Sequence, residues 1–179
     1  DKPLFAPVSF RVRSDDRLAV VGPNGSGKTS LLELLREAPL AFAGTFNRPA
    51  RLDIARVCQQ PRWTTGLLSD HLAVEGMDES RFRQVMAALG VRGDTLERRL
   101  ESMSPGQRKK IELARSFLSP ADLLLWDEPL NFLDIDAREA IQEVVLQDTP
   151  TMVFVEHDAV FVDLVATAIL ELRPPEDVN

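Results

Sequence analysis

The run Gly22-Pro23-Asn24-Gly25-Ser26-Gly27-Lys28-Thr29 fills every position of the phosphate-binding loop pattern. Glycines let backbone N–H groups curl around a phosphate without a side chain in the way. A helix starting at the end of the loop aims its positive pole at the same anion. Lys28 is then expected to reach the β- and γ-phosphates, and the Thr29 hydroxyl to hold Mg²⁺. The candidate nucleotide contacts are Asn24, Gly25, Ser26, Gly27, Lys28, Thr29 and Ser30. A nucleoside triphosphate follows from these residues, with ATP and GTP both open.

Two further constellations carry chemistry. Leu123-Leu124-Leu125-Trp126-Asp127-Glu128 reads as a buried strand ending in two carboxylates. In an α/β fold that end is the carboxyl edge of the sheet, where ligands bind. Asp127 is expected to hold Mg²⁺ through water and Glu128 to orient or deprotonate an attacking water. An apolar strand ending in Asp-Glu is common by itself; it acquires this meaning by following a complete phosphate loop. The third is Ser104-Pro105-Gly106-Gln107. Ser104 suits an N-cap, Pro105 suits the first helical position, and Gln107 completes a capping box. Arg108, Lys109 and Lys110 follow in the first turn, where cations oppose the helix dipole, so this helix start is expected to suit an anion.

The elements that must position these residues are legible as alternating short apolar runs and helical stripes. Strands are expected at residues 8–12 (Val8, Phe10 and Val12 alternating with polar neighbours), 18–21, 45–48, 52–57, 123–127, 152–155 and 168–172. Asp15 and Asp16 mark a turn. Leu31, Leu32, Leu34 and Leu35 form the stripe of a helix beginning at Gly27 and stopped by Pro39. Residues 61–103 change to helical character, with Phe82, Val85, Met86 and Leu89 on one face. Helices at 105–118, 136–147 and 161–165 complete the pattern. Apolar strands alternating with helices imply a mostly parallel sheet covered on both faces. The expected organisation is a core lobe of residues 1–60 and 110–179, with residues 61–109 inserted as a small helical subdomain.

Composition narrows the function classes. The chain has 179 residues, 44% apolar and 27% charged, with a net charge of −7. That suffices for one domain with a sizeable core and excludes a disordered or collagen-like chain. The acidic balance argues against attraction of the whole domain to nucleic acid or anionic lipid, while leaving room for a local basic patch. No apolar run approaches the ~20 residues a bilayer requires, so no direct membrane insertion is expected. Cys58 is the single cysteine, which precludes an internal disulfide and suits a reducing cytoplasm. Asp1 stands where an initiator methionine would, and no charged-then-apolar leader opens the chain. A preceding segment is expected.

The order and spacing of the phosphate loop, Ser104-Pro105-Gly106-Gln107 and Trp126-Asp127-Glu128-Pro129 resemble those of ABC-type ATPase domains. The resemblance implies a P-loop NTPase core with a small helical subdomain and an antiparallel β edge, binding ATP and Mg²⁺ and hydrolysing ATP. It implies that Ser104, Gly106 and Gln107 complete the ATP site of an opposing domain. Gln59 matches the glutamine that touches Mg²⁺ and the attacking water, with Gln60 a less well spaced rival. Asp134, in Asn131-Phe132-Leu133-Asp134, matches the aspartate that communicates between the two sites, and His157 the histidine at the γ-phosphate. His71 matches nothing and is expected at a surface or a helix start. The chain departs from the family in two places. Pro105 stands where glycine is usual, and the adenine-stacking aromatic is expected upstream of Asp1. Phe5 is the nearest substitute, and core packing is its more natural role.

Ser104-Pro105-Gly106-Gln107, Glu112-Leu113-Ala114-Arg115 and Asp127 to Asp134 are most similar to the F subfamily, and within it to antibiotic-resistance members that act on the ribosome. Phe132 stands where many members have histidine. Gln59 to Ser104 spans 45 positions, short for a subunit that seats a membrane-domain coupling helix. Thr29 to Gln59 spans 30 positions, too few for the helical arm of a first domain, which implies the second, C-terminal one. The expected partners are a second ATPase domain of the same chain and the ribosome, and the isolated domain is expected to be monomeric without ATP. The alternative is the ATPase subunit of an ABC transporter. A chromosome-organising ATPase head would need long heptad coiled coils, and none interrupts the sequence.

Overall fold

The computed structural model describes residues 3–57, 60–131 and 133–175. Its contacts divide the chain into two units: Asp1–Ile54, Ala121–Glu128 and Thr149–Asn179 form one, and Ala55–Pro120 with Pro129–Asp148 form the other.

The first unit is organised by parallel strands. β1 (Arg17–Val21) lies between β4 (Met152–Val155) and β5 (Ala168–Glu171), and β3 (Leu123–Asp127) flanks β4. With β2 (Ile54–Arg56) the order is β2-β3-β4-β1-β5. The register sets Leu124 opposite Met152 and Asp127 opposite Val155. Continuous burial along β3 and β4 explains why their sequences are apolar runs without alternation. Leu18, Val20, Leu125, Val153 and Val155 meet Leu31, Leu32 and Leu35 of helix α1 (Lys28–Leu35), so one sheet face and one helix stripe make a single core. On β4, Phe154 meets Phe161 of α7 (Ala159–Val165) edge to face, with centroids 5.6 Å apart. The turn expected at Asp15-Asp16 is present, Asp16 accepting the Arg13 N–H at 2.7 Å.

The second unit is helical. It holds α2 (Leu68–Glu75), α3 (Glu79–Ala88), α4 (Gly93–Leu96), α5 (Pro105–Leu118) and α6 (Ile135–Asp148). Phe82, Val85 and Met86 of α3 are fully buried, as their spacing predicts, with α3 packed on α2, α5 and α6. Because α5 and α6 pack on α3, this unit is broader than the helical stretch expected at 61–109.

Two predicted strands are absent. Residues 8–12 and 45–48 form no ladder, and the pairings between named strands are parallel, so the expected antiparallel edge is not formed among the described residues. Val8, Val12 and Phe46 still lay their side chains on the first unit's core, while Phe10 is exposed. Alternation thus picks out Val8 and Val12 but not Phe10 as core-facing, and it cannot supply a hydrogen-bonding neighbour. Pro7 and Pro49 at the flanks, lacking N–H, make ladder formation harder.

Candidate active site

The phosphate loop runs from β1 into α1, as its motif requires. Gly22 has φ 152°, and a Cβ there would stand 2.6 Å from the Leu172 carbonyl oxygen, so only glycine fits the approach of the loop to the chain after β5. Gly27 caps α1 in the left-handed region at φ 88°, and no side chain caps the helix. The first turn of α1 carries no acid either, so its N–H groups are left for an anion. Lys28 is 7% exposed, and its Nζ donates to the carbonyls of Gly22 at 2.9 Å and Pro23 at 3.0 Å. Phe5 is half-buried on the core and close to Gly27, the packing role expected of it.

β3 ends where its carboxylates can reach this loop. The Thr29 hydroxyl donates to Asp127 Oδ2 at 2.7 Å, joining the two residues predicted to hold Mg²⁺ although they lie 98 positions apart. Glu128 takes φ 49°, uncommon for a residue with a side chain, and its N–H is held by the Val155 carbonyl at 2.9 Å. That turn places Glu128 Oε1 3.0 Å from His157 Nε2, across the ends of β3 and β4. The two residues assigned separately to the catalytic centre are therefore in direct contact. His157 is itself anchored, its N–H donating to the buried Glu156 at 3.1 Å. A cavity of ≈ 240 Å³ opens here, lined by Gly22, Lys28, Glu156, His157 and Asp163.

These residues fit a phosphate ester with Mg²⁺. Ser26 Oγ is buried and has no hydrogen-bond partner among the described residues, an orphan hydroxyl in the loop that leads into α1. No cluster of three His, Cys, Asp or Glu converges on a metal position among the described residues. A hydroxyl and one carboxylate are instead the donor set by which Mg²⁺ is held together with substrate phosphates.

In the second unit, α5 begins with the predicted capping box. Ser104 Oγ accepts from the Gln107 N–H at 3.2 Å, and the Ser104 N–H donates to Gln107 Oε1 at 2.9 Å. Ser104 and Gly106 are exposed, and an accepting hydroxyl keeps its own proton to donate. Lys110 does not serve the positive helix start assigned to it. Its Nζ donates to the Leu89 carbonyl at 2.7 Å and to Asp134 Oδ2 at 3.1 Å, tying α5 to the ends of α3 and α6. Asp134 also caps α6, accepting the Ala137 N–H at 2.9 Å. That bond first, and Lys110 second, hold its carboxyl below the usual carboxylate value. His71 lies on α2, stacked on Trp63 at 5.2 Å and bonded to the Thr65 carbonyl. Gln59, Cys58 and Phe132 lie outside the described residues, while Gln60 is exposed.

Sequence patterns do not reveal Glu156, Glu112 or Arg115 as buried charges. The only signal for the latter two is an acid and a base three apart on an otherwise apolar helical stripe.

Residues 5–131 match the model of the ABC transporter family. The chain is 33% identical over 178 residues to the ATP-binding protein Uup of Escherichia coli, covering 93% of this chain and 27% of Uup. It is 29% identical to the ribosome protection protein VmlR of Bacillus subtilis, covering 91% of this chain and 30% of VmlR. It spans about a quarter of the length of the curated relatives it matches. The archaeal ribosome recycling factor aABCE1, solved with a ribosomal stalk protein, superposes with a TM-score of 0.72 at 25% identity, over 89% of this chain and 32% of that one. No helix among the described residues is long and apolar enough to cross a membrane. With a phosphate loop joined to the carboxylate-bearing strand end, and with a family match across most of its length, the chain belongs to the ABC transporter family as an ATP-binding domain.

Proposed function

We propose that this chain binds Mg·ATP and hydrolyses it to ADP and phosphate, as the second ATPase domain of an F-subfamily protein that acts on the ribosome. The observation that carries the hydrolytic part is the contact of Glu128 with His157 beside the Thr29–Asp127 pair. The loop N–H groups, Lys28 and Ser26 bind and orient the phosphates. Mg²⁺ supplies charge neutralisation on the phosphate oxygens, and Thr29, Asp127 and Gln59 are the residues that would hold it. Glu128 accepts the proton of the attacking water, whose oxygen bonds to the γ-phosphorus as the bond to the β-phosphate oxygen breaks. His157 orients the Glu128 carboxylate and faces the γ-phosphate. Ser104, Gly106 and Gln107 complete the site of an opposing domain, so activity requires two domains, and Asp134 links them. The ribosomal part is supported by similarity to a ribosome protection protein and to a ribosome recycling factor. Drug resistance is one outcome such an action serves, and the cytoplasm is its compartment.

Glu128→Gln in the full-length protein tests the whole reading. It keeps the shape of the site and removes the base, so ATP stays bound and the paired state accumulates by mass action. Affinity recovery of this variant with ATP, probed for ribosomal RNA, should enrich ribosomes. Recovery of a membrane protein without ribosomes would assign the chain to a transporter instead, and hydrolysis at the wild-type rate would remove Glu128 from the mechanism.

A further inference from the structure

Two charged residues in the middle of α5 are among the most buried side chains of the second unit: Glu112 at 1% exposure and Arg115 at 2%. They pair at two points, Arg115 Nη2 to Glu112 Oε1 at 2.7 Å and Nε to Oε2 at 3.1 Å. Their neighbours on the helix, Ile111, Leu113, Ala114 and Phe117, are apolar and buried. Taking two charges out of water is costly, and apolar residues of similar volume often stabilise a core as well or better. An apolar pair, however, cannot bond the backbone, and this pair does. Arg115 Nη2 donates to the Arg56 carbonyl at 3.1 Å, while Glu112 Oε2 accepts the Arg62 N–H at 3.1 Å. Those two backbone groups stand on either side of Gln59. Between Val57 and Gly66 no helix or strand is assigned among the described residues, so side chains must hold what a ladder does not.

We propose that Glu112 and Arg115 are positioning residues that clamp the backbone on both flanks of Gln59 and thereby set the turnover of the site without setting its affinity for nucleotide. The proposal rests on the ATPase reading above for its effect on turnover, but the clamp itself rests on the four bonds. The donors and acceptors are matched in sense: a guanidinium meets a carbonyl and a carboxylate meets an N–H. The two-point pairing locks the side chains to each other, so neither backbone flank moves independently of the helix that begins at Ser104.

The test compares three variants of the full-length protein: Glu112→Gln, Arg115→Lys, and the double swap Glu112→Arg with Arg115→Glu. The swap keeps an ion pair within α5 but sets donor against N–H and acceptor against carbonyl. Amide hydrogen exchange across residues 57–62 should accelerate in the swap and in Arg115→Lys, and least in Glu112→Gln, which keeps an oxygen for Arg62. Affinity for a fluorescent ATP analogue should stay within about threefold. kcat of the swap should fall by about 10- to 100-fold, the scale on which a misplacement near 1 Å is felt. Wild-type kcat in the swap, or a loss confined to thermal stability, would reduce the pair to a structural bridge. Unchanged exchange at 57–62 would overturn the clamp. If the wild-type protein hydrolyses no ATP, the ATPase reading and the turnover effect fall together, and hydrogen exchange decides the clamp separately.

Discussion

Lys28 shows how a candidate phosphate ligand is held in the fold. Its ammonium is almost enclosed, and the Gly22 and Pro23 carbonyls satisfy it at ordinary hydrogen-bond distances. Those neutral acceptors are readily exchanged for phosphate oxygens, which bind an ammonium more strongly because both partners are charged. Lys28→Ala should therefore weaken Mg·ATP binding by at least about tenfold, the loss of a charge-assisted bond of about 1.5–3 kcal/mol. Titration calorimetry of both forms checks it, and equal affinities would exclude Lys28 as a phosphate ligand. Glu128 is positioned by a different device. Its left-handed backbone, fixed by the Val155 carbonyl, turns the carboxylate back toward His157 rather than onward with the chain.

At the level of elements, α5 and α6 each begin on a side chain that has two tasks. Ser104 caps α5 and is the residue the family resemblance assigns to an opposing nucleotide. Ser104→Ala should cost about 1 kcal/mol, or about 2–4 °C in Tm. Ser104→Asp keeps a capping oxygen, so its Tm should stay close to that of the wild type while hydrolysis is lost to repulsion between carboxylate and phosphate. Thermal melts with parallel rate measurements separate the two tasks; loss of stability in both variants would show that the cap tolerates only a hydroxyl. Asp134 caps α6 and receives Lys110, and both bonds favour its charged form. A carboxyl lowered in the folded state from 3.8 adds stability that is present above that unfolded value and disappears as pH falls through the lower folded one. The Tm difference between wild type and Asp134→Asn should accordingly be constant near neutral pH and shrink on acidification below about pH 4. A difference that persists unchanged in acid would mean that the charge on Asp134 contributes nothing.

For the molecule as a whole, the Thr29–Asp127 and Glu128–His157 pairs lie in the first unit and the exposed Ser104-Pro105-Gly106-Gln107 corner in the second. If that corner serves another copy's nucleotide, one chain cannot complete a site alone. The specific activity of the isolated chain should then rise with protein concentration, and the chain should run as a monomer without ATP on a sizing column. Strictly proportional activity across a wide dilution series would show that one chain suffices. The net charge of −7 works against self-association at low salt, so the concentration needed should fall as ionic strength rises.

Whatever depends on neighbours along the chain is legible in the order of residues alone. The phosphate loop is eight consecutive residues, the Ser104–Gln107 capping box spans four, and the buried strand Leu123–Asp127 announces itself by an unbroken apolar run. Their geometry is set by local backbone preferences and by burial on both faces, so the amino-acid sequence by itself determines them. The strands expected at 8–12 and 45–48 fail for the complementary reason: a short apolar pattern speaks only of side chains, but a strand exists only if another backbone lies alongside. Folding alone brings Thr29 to Asp127, Glu128 to His157, and Lys110 to Leu89 and Asp134. It also sets Glu112 and Arg115 against the backbone of Arg56 and Arg62, converting what reads as two charges on a helix into buried bonds. Hydrogen bonds between residues tens of positions apart depend on where the packed elements bring each atom, and only the tertiary structure decides that.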